Sequence, residues 1–217
     1  MLVAVHASDP VWRRRRLALL AWLLLAGAAS LAGCSKSPAL APLASDAVVL
    51  AFGDSLTYGS GARGAESYPA QLESLIARRV VRAGVPGEVT AAALQRLPAA
   101  IEQYAPKLLL LCIGGNDFLR NMSKTAAARN VREMVRVARD RGIDVVLIGT
   151  PEKGLLLTPP AFYAEIAETY AIPYEGKIVG QVLRDSSLKS DAIHPNAQGY
   201  RLIAERIAGL LRESGAL

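Results

Sequence analysis

The chain has 217 residues, of which 52% are hydrophobic, and it carries a formal net charge of +6. This length suits one domain with a terminal extension, and the apolar content is sufficient to bury a core. Four arginines and one aspartate fall within residues 1–33, so half of the net charge lies there. No nucleic-acid-binding motif follows, which argues against DNA or RNA as a partner.

The N-terminal segment predicts export. The arginines at positions 13–16 precede the apolar stretch LALLAWLLLAGAASLAG, residues 17–33. A charged start, a short apolar run and small residues at its end are typical of a secretory signal. The run has about 17 residues, fewer than the roughly 20 that a membrane-spanning helix needs. A permanent membrane anchor is the alternative.

The end of this segment, Leu31-Ala32-Gly33-Cys34, resembles the lipobox of bacterial lipoproteins. The resemblance implies that residues 1–33 are removed as a signal peptide and that lipid on Cys34 tethers the mature chain to a membrane. Ser35 in place of aspartate implies the outer membrane of the cell envelope. A chance cysteine after a signal is the alternative. Residues 34–47, rich in Ser, Pro and Ala, are predicted to be a flexible tether, and residues 48–217 a folded domain.

Within that domain, apolar runs alternate with helical patterns. The runs AVVLAFG, RVVRAGV, KLLLLCIGG and DVVLIGT predict four strands, and a weaker fifth falls near residues 172–174. Apolar residues spaced three to four apart predict helices over 68–79, 90–103, 125–141, 160–170 and 197–213. This alternation predicts an α/β domain with a parallel sheet. Cys112, in the third run, is predicted to be a small buried hydrophobe.

Polar clusters follow several of these strands. Ser55 follows the first strand, Gly87 the second and the GGND cluster the third, and SDAIHPNAQGY precedes the last helix. In open α/β sheets, ligands bind beyond the carboxyl ends of the strands. We therefore expect these four loops to converge at one edge of the sheet.

Ser55 is a candidate nucleophile. A serine hydroxyl needs an adjacent base, usually an imidazole that a carboxylate holds in the right tautomer. Of the two histidines, His6 lies in the predicted signal, which leaves His194 as the candidate base. Asp191, three residues earlier, is close enough in a turn to accept the Nδ1 proton. A surface turn with incidental charges is the alternative for this pair.

Acyl transfer also needs donors for an oxyanion. The backbone amides of Ser55 and Gly87 and the side-chain amide of Asn116 are candidates, although Gly87 also fits an ordinary Pro-Gly turn and Asn116 a helix cap. One histidine and one buried cysteine cannot supply a usual zinc set. Because the G-x-S-x-G elbow and the G-x-x-x-x-G-K-[ST] motif are missing, we expect neither the common α/β-hydrolase arrangement nor a P-loop.

The ordered blocks FGDSLTYG, GVPGE, GGND and DAIHPN resemble those of the GDSL or SGNH hydrolase superfamily. The resemblance implies a three-layer α/β/α flavodoxin-like sandwich with a mostly parallel sheet of about five strands, and a serine esterase without cofactor or metal. The resemblance also implies that Ser55, His194 and Asp191 form the catalytic triad. It implies that Ser55, Gly87 and Asn116 form the oxyanion hole. Relatives often have Asn and Thr where this chain has Arg82 and Val89. The hydrogen bonds that support the second block are therefore expected to differ here.

Within the superfamily, GDSLTYGSGARGAESYPAQL and LLLLCIGGNDFLRN most resemble the bacterial arylesterase, acyl-CoA thioesterase and lysophospholipase branch. A small acyl ester or lipid is the substrate this implies. Removal of O-acetyl groups from an envelope polysaccharide and a non-catalytic binding lipoprotein are the alternatives. Apolar loop residues are candidates to hold the acyl chain, or they pack the loops themselves; they are Phe118, Leu119, Leu155, Leu156 and Leu157. The sequence does not indicate the oligomeric state.

Overall fold

The computed structural model describes residues 38–154 and 156–217. The predicted signal peptide, the lipobox with Cys34 and the start of the predicted tether lie outside the described residues, as does Leu155. No helix in the described ranges is long and apolar enough to cross a membrane.

The centre of the fold is a five-stranded parallel sheet in the order β2-β1-β3-β4-β5. The strands are β1 (Val48–Gly53), β2 (Arg79–Gly84), β3 (Leu108–Cys112), β4 (Asp144–Ile148) and β5 (Tyr174–Glu175). All five residues of β3 are buried, as expected for a central parallel strand that is covered on both faces. Because the chain runs from β1 outward to β2 and then returns to β3, the strand order reverses beside β1, where such sheets form their ligand crevice.

Helices cover both faces of the sheet and complete the predicted three layers. They are α1 (Ser55–Tyr58), α2 (Tyr68–Ile76), α3 (Thr90–Tyr104), α4 (Gly115–Leu119), α5 (Lys124–Arg139), α6 (Phe162–Tyr170), α7 (Ile178–Arg184) and α8 (Ala197–Glu213). One core cluster joins α2, α7 and α8 to the sheet, and a second joins α3, α5 and α6 to the opposite face. The predicted α/β/α sandwich is confirmed.

The element boundaries differ from the predictions in a few places. Helix α2 ends at Ile76, three residues before the predicted end, because Ala77 adopts a left-handed conformation with φ of 50°. The fifth strand is only two residues long. Helices α1, α4 and α7 were not predicted, since segments of four to seven residues carry too little apolar periodicity to be recognised.

The domain begins before the predicted boundary at Val48. Leu40 and Leu43 are buried in the core cluster beside α8, and their backbone amides donate to the carbonyls of Ser214 (2.8 Å) and Ala216 (2.9 Å). The segment 40–47, which we call the N-terminal strap, is therefore packed on the domain. Its two leucines cover apolar side chains of the core. The sequence pattern did not indicate that residues before Val48 would be needed to cover them.

Candidate active site

The turn after β1 presents Ser55 at the carboxyl edge of the sheet. Gly53 ends the strand, and a Cβ there would collide with the Cys112 carbonyl oxygen of neighbouring β3. Asp54 then caps α1, its Oδ1 accepting a hydrogen bond from the Leu56 amide at 3.0 Å. This cap satisfies a free amide of the first turn, and it sets Ser55 at the first helical position.

The loop before α8 brings His194 to Ser55. Asp191 Oδ1 accepts hydrogen bonds from the backbone amides of Ile193 (2.8 Å) and His194 (2.9 Å), which closes a tight turn. Asp191 Oδ2 lies 2.8 Å from His194 Nδ1, and His194 Nε2 lies 3.1 Å from Ser55 Oγ. With Nδ1 donating to the carboxylate, Nε2 is free to accept the proton of the serine hydroxyl.

The carboxylate of this trio stays ionised. Partial burial acts to raise the pKa of Asp191, but the hydrogen bonds from His194 and from the two backbone amides outweigh it and hold the pKa below its usual range. A negative Asp191 favours the tautomer of His194 that carries its proton on Nδ1.

The loop after β2 and helix α4 contribute the remaining candidate donors. Gly87 adopts φ of +78°, a left-handed conformation that suits glycine, and its carbonyl accepts a hydrogen bond from Arg120 Nη2 at 2.8 Å. Asn116, in the first turn of α4, donates through Nδ2 to the Glu88 carbonyl oxygen at 3.0 Å. The second and third sequence blocks are thus joined directly by a hydrogen bond.

Comparison with known proteins assigns this arrangement of residues to a family. Residues 51–202 match the GDSL-like Lipase/Acylhydrolase family. The chain belongs to this family. It is 29% identical over 196 residues to esterase TesA of Pseudomonas aeruginosa, covering 82% of this chain and 94% of that protein. It is 27% identical over 172 residues to thioesterase 1/protease 1/lysophospholipase L1 of Escherichia coli, covering 76% and 83%.

The fold agrees with solved structures of the family. The chain resembles the psychrotrophic esterase EstA of Pseudoalteromonas sp. with a TM-score of 0.69 at 22% identity, covering 77% of this chain and 98% of that one. Family and relatives together make this GDSL protein a carboxylic ester hydrolase. The enzyme class and the family predicted from the sequence are confirmed.

Asp54 of the GDSL block is buried beside the nucleophile. It is 1% exposed, and its Oδ2 lies 3.4 Å from Asn116 Nδ2. Burial raises the pKa of Asp54 to about 7, against a smaller opposing effect of the hydrogen bond from Leu56 and of His194. The capping bond is the turn bonding expected from the sequence, and the contact with Asn116 is an addition that only the structure shows.

Asn116 does not cap the following helix. Its neighbour Asp117 instead caps α3, accepting hydrogen bonds from the Thr90 backbone amide at 2.9 Å and from the Thr90 hydroxyl at 2.7 Å. Asn116 lines the cleft beside Ser55, and its side-chain amide donates to the Glu88 carbonyl.

A cleft opens beside Ser55 and His194, and two of the four predicted substrate-binding residues that the structure describes line it. These are Leu119 and Leu157. Phe118 was expected there, but it is 5% exposed and packs against Phe162 and Tyr163 in the core. Leu156 is 68% exposed and does not line the cleft.

Further lining residues come from the sequence blocks themselves, Leu56 and Ile193, and from segments outside those blocks, Thr150, Pro151, Lys153 and Leu183. Thr150 and Pro151 follow β4, so the rule that loops at the carboxyl edge form the site was the one signal that pointed to them. Within the described residues, no cluster of three or more His, Cys, Asp and Glu side chains is arranged to hold a metal ion.

Proposed function

We propose that this GDSL hydrolase is a serine esterase that cleaves acyl esters through an acyl-enzyme on Ser55. The observation that carries the proposal is the continuous line of contacts from Asp191 Oδ2 to His194 Nδ1 (2.8 Å) and from His194 Nε2 to Ser55 Oγ (3.1 Å). Both separations lie within hydrogen-bond reach, which is the geometric requirement for a nucleophile, a base and an orienting carboxylate.

The reaction follows from the position of each group. Ser55 Oγ attacks the ester carbonyl while His194 Nε2 takes its proton, and Asp191 stabilises the imidazolium that forms. The oxyanion lies toward the amides of Ser55 and Gly87 and toward Asn116 Nδ2, the three candidate donors. His194 then protonates the leaving group, and water, activated by the same imidazole, releases the acid and restores Ser55.

The cleft favours an apolar acyl chain as the part of the substrate that it binds. Leu119, Leu157, Leu183 and Ile193 lie along it, and its polar lining residues are Asp54, Ser55, Asn116, Thr150, Glu152, Lys153 and His194. Apolar walls with a few convergent polar groups are typical of small-molecule sites. We propose acyl esters, thioesters and lysophospholipids as the substrate class, in line with relatives named esterase and thioesterase/lysophospholipase.

Turnover of a chromogenic acyl ester by the purified protein tests the mechanism. Ser55→Ala should reduce kcat to background, whereas Ser74→Ala, at an exposed serine on α2, should retain parental kcat. His194→Ala should lose several orders of magnitude in kcat, because no other imidazole is left after residue 6. Parental activity in Ser55→Ala would refute the acyl-enzyme.

We propose further that the protein is exported and lipid-anchored through Cys34, facing the periplasm from the outer membrane. The basis is the signal-like segment and lipobox-like residues of the sequence. Growth with a labelled fatty acid should mark the parent protein and leave Cys34→Ser unmarked, while the purified variant keeps its esterase activity. Equal labelling of both proteins would contradict the lipid anchor.

A further inference from the structure

Arg96, on the inward side of α3, binds the loop that follows β2. Its Nε donates to Glu88 Oε1 at 2.8 Å and its Nη2 to Glu88 Oε2 at 2.6 Å, a two-pronged ion pair. The Glu88 side chain is 5% exposed and the Arg96 side chain 28%. A paired and shielded guanidinium of this kind fixes both position and orientation, because two parallel hydrogen bonds to one carboxylate allow little rotation.

The same guanidinium reaches the ends of two strands. Arg96 Nη2 donates to the carbonyl oxygens of Ala83 (3.2 Å) in β2 and Gly53 (3.4 Å) in β1. Its guanidinium carbon also lies 4.0 Å from the centre of the Phe52 ring, within the range of a cation–π contact. Arg96 therefore ties α3 to the ends of β1 and β2 and to the connecting loop.

Each candidate oxyanion donor lies next to a group that Arg96 contacts, either along the chain or through a hydrogen bond. Gly53 lies two residues before Ser55, and Gly87 is bonded directly to Glu88. The Glu88 carbonyl accepts the hydrogen bond of Asn116 Nδ2 at 3.0 Å. Arg96 itself does not line the cleft, so any effect on the reaction passes through these neighbours.

We propose that Arg96, acting through Glu88, is a positioning residue that holds the oxyanion donors in place for the transition state. The proposal rests on the serine esterase function proposed above. Donors that are fixed in advance stabilise the oxyanion without reorganisation, and a displacement of about 1 Å in such a site can cost about 10²-fold in rate. The contacts of Arg96 also support the second block, GVPGE. Beside that block, Arg82 and Val89 differ from the residues that the family resemblance leads us to expect.

A second ion pair with a buried carboxylate provides a control; its arginine, Arg206, also donates through Nη1 to Glu213 Oε1 at 2.9 Å. Arg206 Nε donates to Glu175 Oε2 at 2.6 Å, and the Glu175 side chain is also 5% exposed. This pair joins α8 to β5 and does not line the cleft. Arg206→Met should therefore impose a comparable loss of a buried partner without touching the oxyanion donors.

The test compares kcat and KM of Arg96→Met and Arg206→Met on one ester, below the unfolding temperature of both. Arg96→Met should lower kcat by about 10- to 100-fold with KM within about twofold, and Arg96→Lys should recover part of the loss. Arg206→Met should keep parental kcat. A kcat loss equal in the two variants, or none in Arg96→Met, would overturn the proposal.

Removing Arg96 leaves the Glu88 charge buried and unpaired, which can prevent folding. If the single variant does not fold, the double variant Arg96→Met/Glu88→Gln, which removes both charges, takes its place. We expect the same loss of kcat from the double variant. Adding Asn116→Ala to the variant that folds tests whether Arg96 acts through Asn116. The effects of substitutions at residues that act through one another are not additive. The combined loss in kcat should be smaller than the product of the separate losses, and a full product would overturn the role through Asn116.

The two proposals fail in different ways. Should Ser55→Ala retain activity, the esterase mechanism itself is wrong, whatever Arg96 does. Should Ser55→Ala be inactive while Arg96→Met has parental kcat, the mechanism stands and only the positioning role of Arg96 is refuted.

Discussion

Replacing Asp54 with asparagine should remove a pH dependence of the stability of the protein. Asp54 is 1% exposed, and burial raises its pKa from 3.8 to about 7. In the unfolded chain this carboxyl loses its proton near its ordinary pKa, whereas in the folded protein it keeps the proton up to neutral pH. The folded state therefore binds more protons between these two values, and its stability falls as the pH rises through that window.

The magnitude follows from the size of the shift. One pKa unit corresponds to about 1.4 kcal/mol, and about two units separate pH 5 from the folded pKa of about 7. Raising the pH from about 5 to about 8 should then cost the parent roughly 3 kcal/mol in free energy of unfolding through Asp54 alone. Asparagine has the shape of the neutral acid and does not ionise, so Asp54→Asn should lack this loss.

Urea unfolding of both proteins at the two pH values measures the effect. The other titrating groups are present in both, so the difference between the two free energies of unfolding isolates Asp54. This difference should shift by roughly 3 kcal/mol in favour of Asp54→Asn at the higher pH. A difference that stays constant to within about 0.5 kcal/mol would refute a neutral, buried Asp54.

Three further substitutions test the site and its frame. Asn116→Ala should fold normally and lose about 10²- to 10³-fold in kcat, as measured by ester turnover, because one oxyanion donor is deleted; unchanged kcat would remove it from the site. Gly53→Ala should cost at least about 3 kcal/mol in chemical unfolding, since its Cβ would collide with β3, whereas Gly209→Ala in α8 should cost nothing. Leu40→Ala should cost about 2 to 4 kcal/mol, and Leu156→Ala, at a side chain that is 68% exposed, almost none; equal losses would contradict a packed strap.

The sheet and the long helices could be predicted because their signals are local. A continuous apolar run such as β3 and the three-to-four residue spacing of α8 are each visible within one segment of sequence. The carboxyl-edge rule then brought Ser55, Asn116 and His194 to one side of the sheet, where all three line one cleft and His194 Nε2 lies 3.1 Å from Ser55 Oγ.

The supports of the site could not be predicted, because their partners are distant in sequence. Arg96 meets Glu88 eight residues away and Gly53 forty-three residues away, and nothing in helix periodicity indicates that an arginine on α3 points to either. The location of Phe118 could not be predicted either, because a phenylalanine fits both a cleft wall and a core. Its contact with Phe162 places it in the core. Leu183 lines the cleft from α7, a helix too short to be recognised.

The N-terminal strap fixes where a cargo or a support joined directly before it meets the domain. The Ala41 amide donates to Asp144, the first residue of β4, so the chain enters at the amino edge of the parallel sheet. Ser55 and His194 lie beyond the carboxyl edge, and the six residues of β1 separate the two edges by about 20 Å. An enzyme shortened to residues 38–217 and immobilised through residue 38 would therefore hold its cleft on the side away from the support, open to substrate in solution.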